Sequence, residues 1–267
     1  MLPLGMFYWF TFEIPLKERM HLIKQAGFDA TCLYLGDDEP LVGEGRADEM
    51  VDCARDSGLT LDNVHAPFIG HYLLWSDSQD AVDKVRGELI TSLSFCYKHH
   101  IPRMVVHFNG RDFPPANWKG LQVVQDIVKQ AEDAGVIIAD ENTPVGNEYL
   151  DYIFTNIQSP NLGFCYDSSH DNIARTFRGK ALQKWGHLLV TTHFSDNLGT
   201  DDDHLLPGKG KIDWNSVRNS FPANYTGTLM LEVDGPDAKK GFTPEQFLQT
   251  GYEWLKKFAL QLEHNNT

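Results

Sequence analysis

Short apolar runs alternate with longer amphipathic stretches along the whole chain, and this rhythm limits the fold more than any other feature. Eight strand candidates stand out: GMFYWF (5–10), ATCLYL (30–35), TLDNVH (60–65), RMVVHF (103–108), VIIADE (136–141), LGFCYD (162–167), HLLVTTHF (187–194) and GTLMLEVD (227–234). Helix candidates lie between them, among them 16–26, 80–99, 117–134 and 243–262. QAGFDA and DAGVII place Gly27 and Gly135 at helix stops directly before strands, the short turns of repeated βα units. Eight such units close into a (β/α)8 barrel or spread into a doubly wound sheet. No glycine-rich phosphate fingerprint follows the first strand and no linker marks a second domain. The expectation is one α/β domain over residues 1–267, a single (β/α)8 TIM barrel, a length ordinary for that fold.

Composition narrows the function classes. With 42% hydrophobic and 22% charged residues the chain can bury a large core and carries no signature of disorder. A formal charge of −14 disfavours a sequence-blind grip on nucleic-acid phosphate. Cys32, Cys53, Cys96 and Cys165 are widely spaced inside strand and helix candidates and read as buried thiols of a reducing compartment. MLPLGMFYWF lacks a basic region before its apolar residues and is soon followed by Glu13, so neither a signal peptide nor a membrane span is expected. A cytoplasmic location follows as the expectation.

Active sites of such barrels form at the carboxyl ends of the strands. Here strands three to eight end in His65, His107, Glu141, Asp167, His193 and Glu232. Loops add His170 in DSSH, Asp196 in SDN, and Asp202 and His204 before PGKGK. One strand-end His is commonly just hydrogen-bonded, and one Asp commonly caps a helix. Six at one rim are another matter, because burying so many carboxylates without cations is costly. Imidazole mixed with carboxylate suits zinc, manganese, iron or cobalt better than calcium or magnesium. Asp196 reads as a residue that orients a neighbour or caps a turn. Trp9, Phe68, Trp75 and Phe108 are candidates for an apolar wall beside the metal.

The strings NVHAPF, VVHFNG, DENTP, CYDSSH, HFSDN, DDHLLPGKGKIDW and MLEVDG, in that order, resemble the xylose-isomerase-like superfamily of TIM barrels. That superfamily holds sugar and sugar-phosphate isomerases and epimerases, dehydratases and endonuclease IV. The resemblance spans residues 60–235 and, through the βα rhythm, nearly the whole chain. By likeness to the ketose 3-epimerases, Glu141, Asp167, His193 and Glu232 would hold one divalent metal. By likeness to endonuclease IV, His65, His107, His170, Asp202 and His204 would bind further metal or substrate. Two departures weigh against a DNA substrate: APFIGHYLLWSD follows His65, and the loop LGDDEPLVGEGR is acidic.

The resemblance implies a metal-dependent sugar or sugar-phosphate isomerase or epimerase, with Glu141 and Glu232 exchanging a proton through an enediolate. His170 and His107 would bond the reacting oxygens, and Lys209 or Arg111 would neutralise an acidic or phosphorylated end. A dehydratase of a cyclic polyol or keto acid and an endonuclease IV-like zinc phosphodiesterase are the alternatives. The expected partner is a small carbohydrate, with no nucleic acid and no membrane, and a homo-oligomer is compatible with the sequence.

Overall fold

A computed structural model of the chain describes residues 1–36, 38–109 and 114–265. Eight parallel strands run β1 (Leu4–Phe7), β2 (Ala30–Tyr34), β3 (Thr60–His65), β4 (Arg103–Val106), β5 (Ile137–Glu141), β6 (Leu162–Asp167), β7 (Leu189–His193) and β8 (Leu229–Leu231). Each pairs in parallel with its neighbours in sequence from β1 to β7, and β8 pairs with β1. The remaining seam, β7 to β8, closes through the bridge Phe194–Leu231 and the bonds Phe194 N→Met230 O (2.8 Å) and Glu232 N→Phe194 O (3.0 Å). The expected (β/α)8 barrel is therefore present.

The helices among the described residues are α1 (Leu16–Ala26), α2 (Pro40–Gly43), α3 (Ala47–Asp56), α4 (Gln79–Lys98), α5 (Trp118–Ala134), α6 (Asn147–Asn156), α7 (Ser168–Ile173), α8 (Ala181–Trp185), α9 (Trp214–Asn219) and α10 (Pro244–Asn265). Their starts are written locally. Ser78 accepts from Ala81 N at the head of α4, and Asn117 accepts from Gly120 N at the head of α5. Gly27 and Gly135 adopt φ of 109° and 66° after α1 and α5, the left-handed exits that their sequence positions predict. Apolar faces of the helices cover the outside of the sheet in one continuous core. No described helix is long and apolar enough to cross a membrane.

The barrel interior explains the aim of the site residues. Side chains alternate along a strand, so residues two apart share a face. Val105, Ala139 and Cys165 pack together as a small separate cluster. Two residues further along lie His107, Glu141 and Asp167, which thus point into the mouth. Nearer the amino ends, Asp62 pairs with Arg103 (2.8 Å) and accepts from Thr191 Oγ1 (3.0 Å), a polar plug. Several strands are shorter than their apolar runs: β1 stops at Phe7 and β7 spans only Leu189–His193, while β4 stops at Val106 and β8 at Leu231, so His107 and Glu232 each follow the strand by one residue.

Candidate metal centre

Glu141 is the hub of the mouth. Its Oε2 lies 3.0 Å from His193 Nδ1, 3.4 Å from His107 Nε2 and 3.5 Å from His65 Nε2. Its Oε1 lies 3.2 Å from His170 Nδ1. Glu232 reaches the same His193 nitrogen from the other side, Oε2 to Nδ1 at 3.2 Å. Asp167 caps α7 by accepting from His170 N (2.6 Å) through Oδ1, which leaves Oδ2 free to face inward. Asn142 ties the ends of β5 and β6 together, donating to Asp167 O (2.8 Å) and accepting from Asp167 N (2.9 Å).

A second group stands beside the first. Asp202 Oδ2 is 2.9 Å from both His170 Nε2 and His204 Nε2, and Ser169 Oγ donates to Asp202 Oδ1 (2.5 Å). His204 Nδ1 lies 3.0 Å from Asp234 Oδ1. His204 has a φ of 44°, unusual for a residue with a side chain, and a Cβ on Gly235 would come within 2.0 Å of Asp203 O. The loop is thus pressed against the end of β8, where only glycine fits.

Asp196 builds that loop rather than touching a candidate ligand. Fully buried, it accepts from Asn197 N, Gly208 N, Ile212 N and Trp214 Nε1 at 2.8 to 3.0 Å. A Cβ on Gly210 would sit 2.3 Å from Asp196 Oδ1, which accounts for the second glycine of PGKGK.

The donor set fits a divalent cation. One ligand atom from each of Glu141, Asp167, His193 and Glu232 lies within 4.8 Å of the others, and the same holds for His65, Glu141 and His193 and for His170, Asp202 and His204. Both Glu141 oxygens, Asp167 Oδ2, both His193 nitrogens and His107 Nε2 are buried and make no well-directed hydrogen bond, although several stand within ion-pair range of one another. Buried polar atoms are rarely left so, and here they converge on shared points, as ligands do around an ion.

Electrostatics agree, since burial opposes charge on each group and only opposite charge restores it. Burial pushes Asp167 up to about 7, although His170 pulls the other way. Despite burial, His193 and His107 hold Glu141 well below the carboxylate range, and His193 holds Glu232 down at about 2. Against the same desolvation, Asp167 and Asp202 push His170 up, while Cys165 and Glu232 push His193 up. The carboxylates thus call for positive charge at the floor, which a divalent cation on these ligands would supply.

Above this floor opens a cavity of about 550 Å3, within the range of small-molecule sites. Trp9 and Phe68 line it as expected, but Trp75 and Phe108 do not. Those two are fully buried, Trp75 Nε1 donating to Phe108 O (2.6 Å), and they belong to the core. Lys209 lies 6.0 Å from the Phe242 ring centroid and does not line the cavity, whereas Arg111 falls outside the described residues. Tyr8, Tyr34, Asp38, Glu39 and Asp234 do line it, and the strand-end rule missed them. Asp234 carried a signal, since it lies two residues beyond Glu232.

The xylose isomerase-like TIM barrel family matches residues 20–258 through its sequence model. Among curated relatives, an uncharacterized protein of Sinorhizobium fredii is 37% identical over 82 residues, 30% of this chain and 26% of its own. An uncharacterized protein of Methanocaldococcus jannaschii is 35% identical over 120 residues, 41% of each chain. The chain therefore spans well under half the length of either. Among solved structures, a D-tagatose 3-epimerase-like protein superposes with a TM-score of 0.77 at 21% identity over 100% of both chains. D-psicose 3-epimerase of Clostridium cellulolyticum, with D-tagatose, gives 0.75 at 19% over 98% of this chain and 100% of its own. The IolI protein with a zinc atom gives 0.75 at 18% over 100% and 99%. At these identities the likeness is one of fold.

Proposed function

The chain belongs to the xylose isomerase-like TIM barrel family, and from that premise we propose that it is a divalent-metal-dependent sugar isomerase or epimerase. It would work as one barrel domain over residues 1–267. The observation that carries this reading is the convergence of two buried glutamates, Glu141 and Glu232, on the same nitrogen, His193 Nδ1, at 3.0 and 3.2 Å. The epimerases among the structural relatives support the choice of a sugar substrate.

Glu141, Asp167, His193 and Glu232 would hold the ion. When bound, it supplies a Lewis acid that lowers the energy of negative charge on neighbouring substrate oxygens. One carboxylate, Glu141 or Glu232, takes the proton from the carbon beside the substrate carbonyl, and the other returns it. Return to the same carbon epimerises, and return to the adjacent carbon converts aldose and ketose. His107 Nε2, buried and unpartnered at the cavity wall, can donate to a substrate oxygen. The same carboxylate pair would also serve a dehydratase, which loses water after the first proton transfer.

The test is Glu141→Gln and Glu232→Gln. Each is expected to abolish exchange of the substrate C–H with deuterated solvent, and normal exchange in both would refute the two-carboxylate mechanism.

One observation favours a second reading, an endonuclease IV-like zinc phosphodiesterase. Residues His65, His170, Asp202 and His204 complete two further ligand groups beside the first. Elemental analysis separates the two: about one metal per chain supports the isomerase, and three zincs with nicking of abasic-site DNA would replace it.

A further inference from the structure

The proposed function leaves open whether the substrate carries a phosphate. Six carboxylates line the cavity, Asp38, Glu39, Glu141, Asp202, Glu232 and Asp234, and no lysine or arginine among the described residues does. Four of them belong to the floor. Asp38 and Glu39 stand apart, on the loop after β2, and form a separate arm with Tyr8, Trp9, Tyr34 and Phe68.

This arm is built. Glu39 accepts from Leu41 N (3.3 Å) through Oε1, which caps α2, and from the Tyr8 hydroxyl through Oε2. Asp38 Oδ1 accepts from the Tyr34 hydroxyl (2.9 Å). Burial and the Glu39 carboxylate both push the Tyr8 hydroxyl up, so the hydroxyl keeps its proton and donates it in a hydrogen bond to Glu39. A carboxylate has room for about four donors, so both keep lone pairs free for further bonds. Arg19 braces the wall from outside the cavity: its guanidinium lies 4.5 Å from the Trp9 ring centroid and donates to Ile14 O (2.9 Å). The cavity also ends on buried groups that make no well-directed hydrogen bond, both Glu141 oxygens and His107 Nε2, which leaves them available to a ligand.

The geometry points to a subsite for an uncharged, hydroxyl-bearing end of the substrate. Glu39 and Asp38 accept hydrogen bonds from its hydroxyls, and the aromatic rings pack against its C–H faces. Ligands ending in phosphate or carboxylate are rejected by like charge. This rests on the sugar reading above. Glu39 is the residue that sets the specificity, because Tyr8 and the head of α2 hold its charge in place.

The experiment uses the full metal-loaded chain with matched probes: D-fructose, D-tagatose and D-ribulose, and the terminal phosphate of each. Binding is read by calorimetry and turnover by proton exchange. The phosphates are expected to bind at least about tenfold more weakly, the size of one partly screened like-charge contact. Glu39→Lys should narrow or invert that ratio. Glu39→Gln, nearly isosteric, should narrow it less and guards against a lysine variant that fails to fold. A parent that prefers the phosphates overturns this inference and leaves the isomerase reading standing. A ratio unmoved in both folded variants overturns the role of Glu39. If no probe, free or phosphorylated, binds or exchanges, the sugar reading falls and this inference with it.

Discussion

Replacing Asp196 with alanine tests how the loop bearing Asp202 and His204 is held. The change removes the acceptor for three donors distant in sequence, Gly208 N, Ile212 N and Trp214 Nε1, all at 2.8 to 3.0 Å. A hydrogen bond to a charged group contributes about 1.5–3 kcal/mol net, which for three gives an upper limit near 9 kcal/mol. Gly208 is exposed and Ile212 half-buried, so water can reach those two amides once the loop loosens. The expected loss is therefore nearer the low end, about 3–4 kcal/mol. Asparagine should fare little better, because its amide nitrogen would face one set of N–H donors. Urea unfolding of chelator-treated parent and variant measures this without metal linkage. A loss below about 1 kcal/mol for Asp196→Ala would show that the loop is held by something else.

Three further outcomes follow from the same geometry. Gly210→Ala would push a methyl to 2.3 Å from Asp196 Oδ1 and from Asn197 O, so it should destabilise by about 2 kcal/mol or more in the same assay, and a neutral result would contradict the packing. His71 is buried, and desolvation, aided by His107 and His65, depresses it to about 3, while its partner Glu88, 3.1 Å away, is partly solvated. A depressed folded value means stability that is full above the unfolded imidazole value of about 6.5 and is lost as pH falls toward 3. Parent protein should thus lose about 1 kcal/mol more than His71→Gln between about pH 7.5 and 5.5, and parallel curves would refute the buried neutral imidazole. Chelation should lower the melting temperature, and manganese or zinc at about a hundredfold over its dissociation constant should restore about 2.7 kcal/mol, whereas an unchanged melt would argue against a metal centre.

The floor of the site was legible because a barrel converts sequence position into spatial position. Any residue that ends a strand and shares a face with the interior arrives at the mouth, so reading six strand ends was enough to assemble His65, His107, Glu141, Asp167, His193 and Glu232. The same periodicity failed for Trp75 and Phe108. An aromatic near a strand end looks alike in sequence whether it turns into the cavity or away, and here Trp75 lies across Gly120 and beside Tyr149 in the core. Strand bounds were overdrawn for β1, β4, β7 and β8 because apolar residues continue past the last ladder bond, yet His107 and Glu232 still reach the mouth.

The arm of Tyr8, Tyr34, Asp38 and Glu39 was not legible, and the cause is physical. Its residues meet through side-chain length and loop conformation, the Tyr8 hydroxyl crossing to a carboxylate 31 positions away. In the sequence, LGDDEP is only an acidic loop, and its acidity appeared as an argument against DNA. Folded against the ends of β1 and β2, two of its acids, Asp38 and Glu39, become cavity walls. The barrel imposes where the floor residues meet, and their side chains supply the chemistry. The wall charge comes from loop residues outside the metal floor, so substrate choice should respond to Asp38 and Glu39 while proton transfer should respond to Glu141 and Glu232.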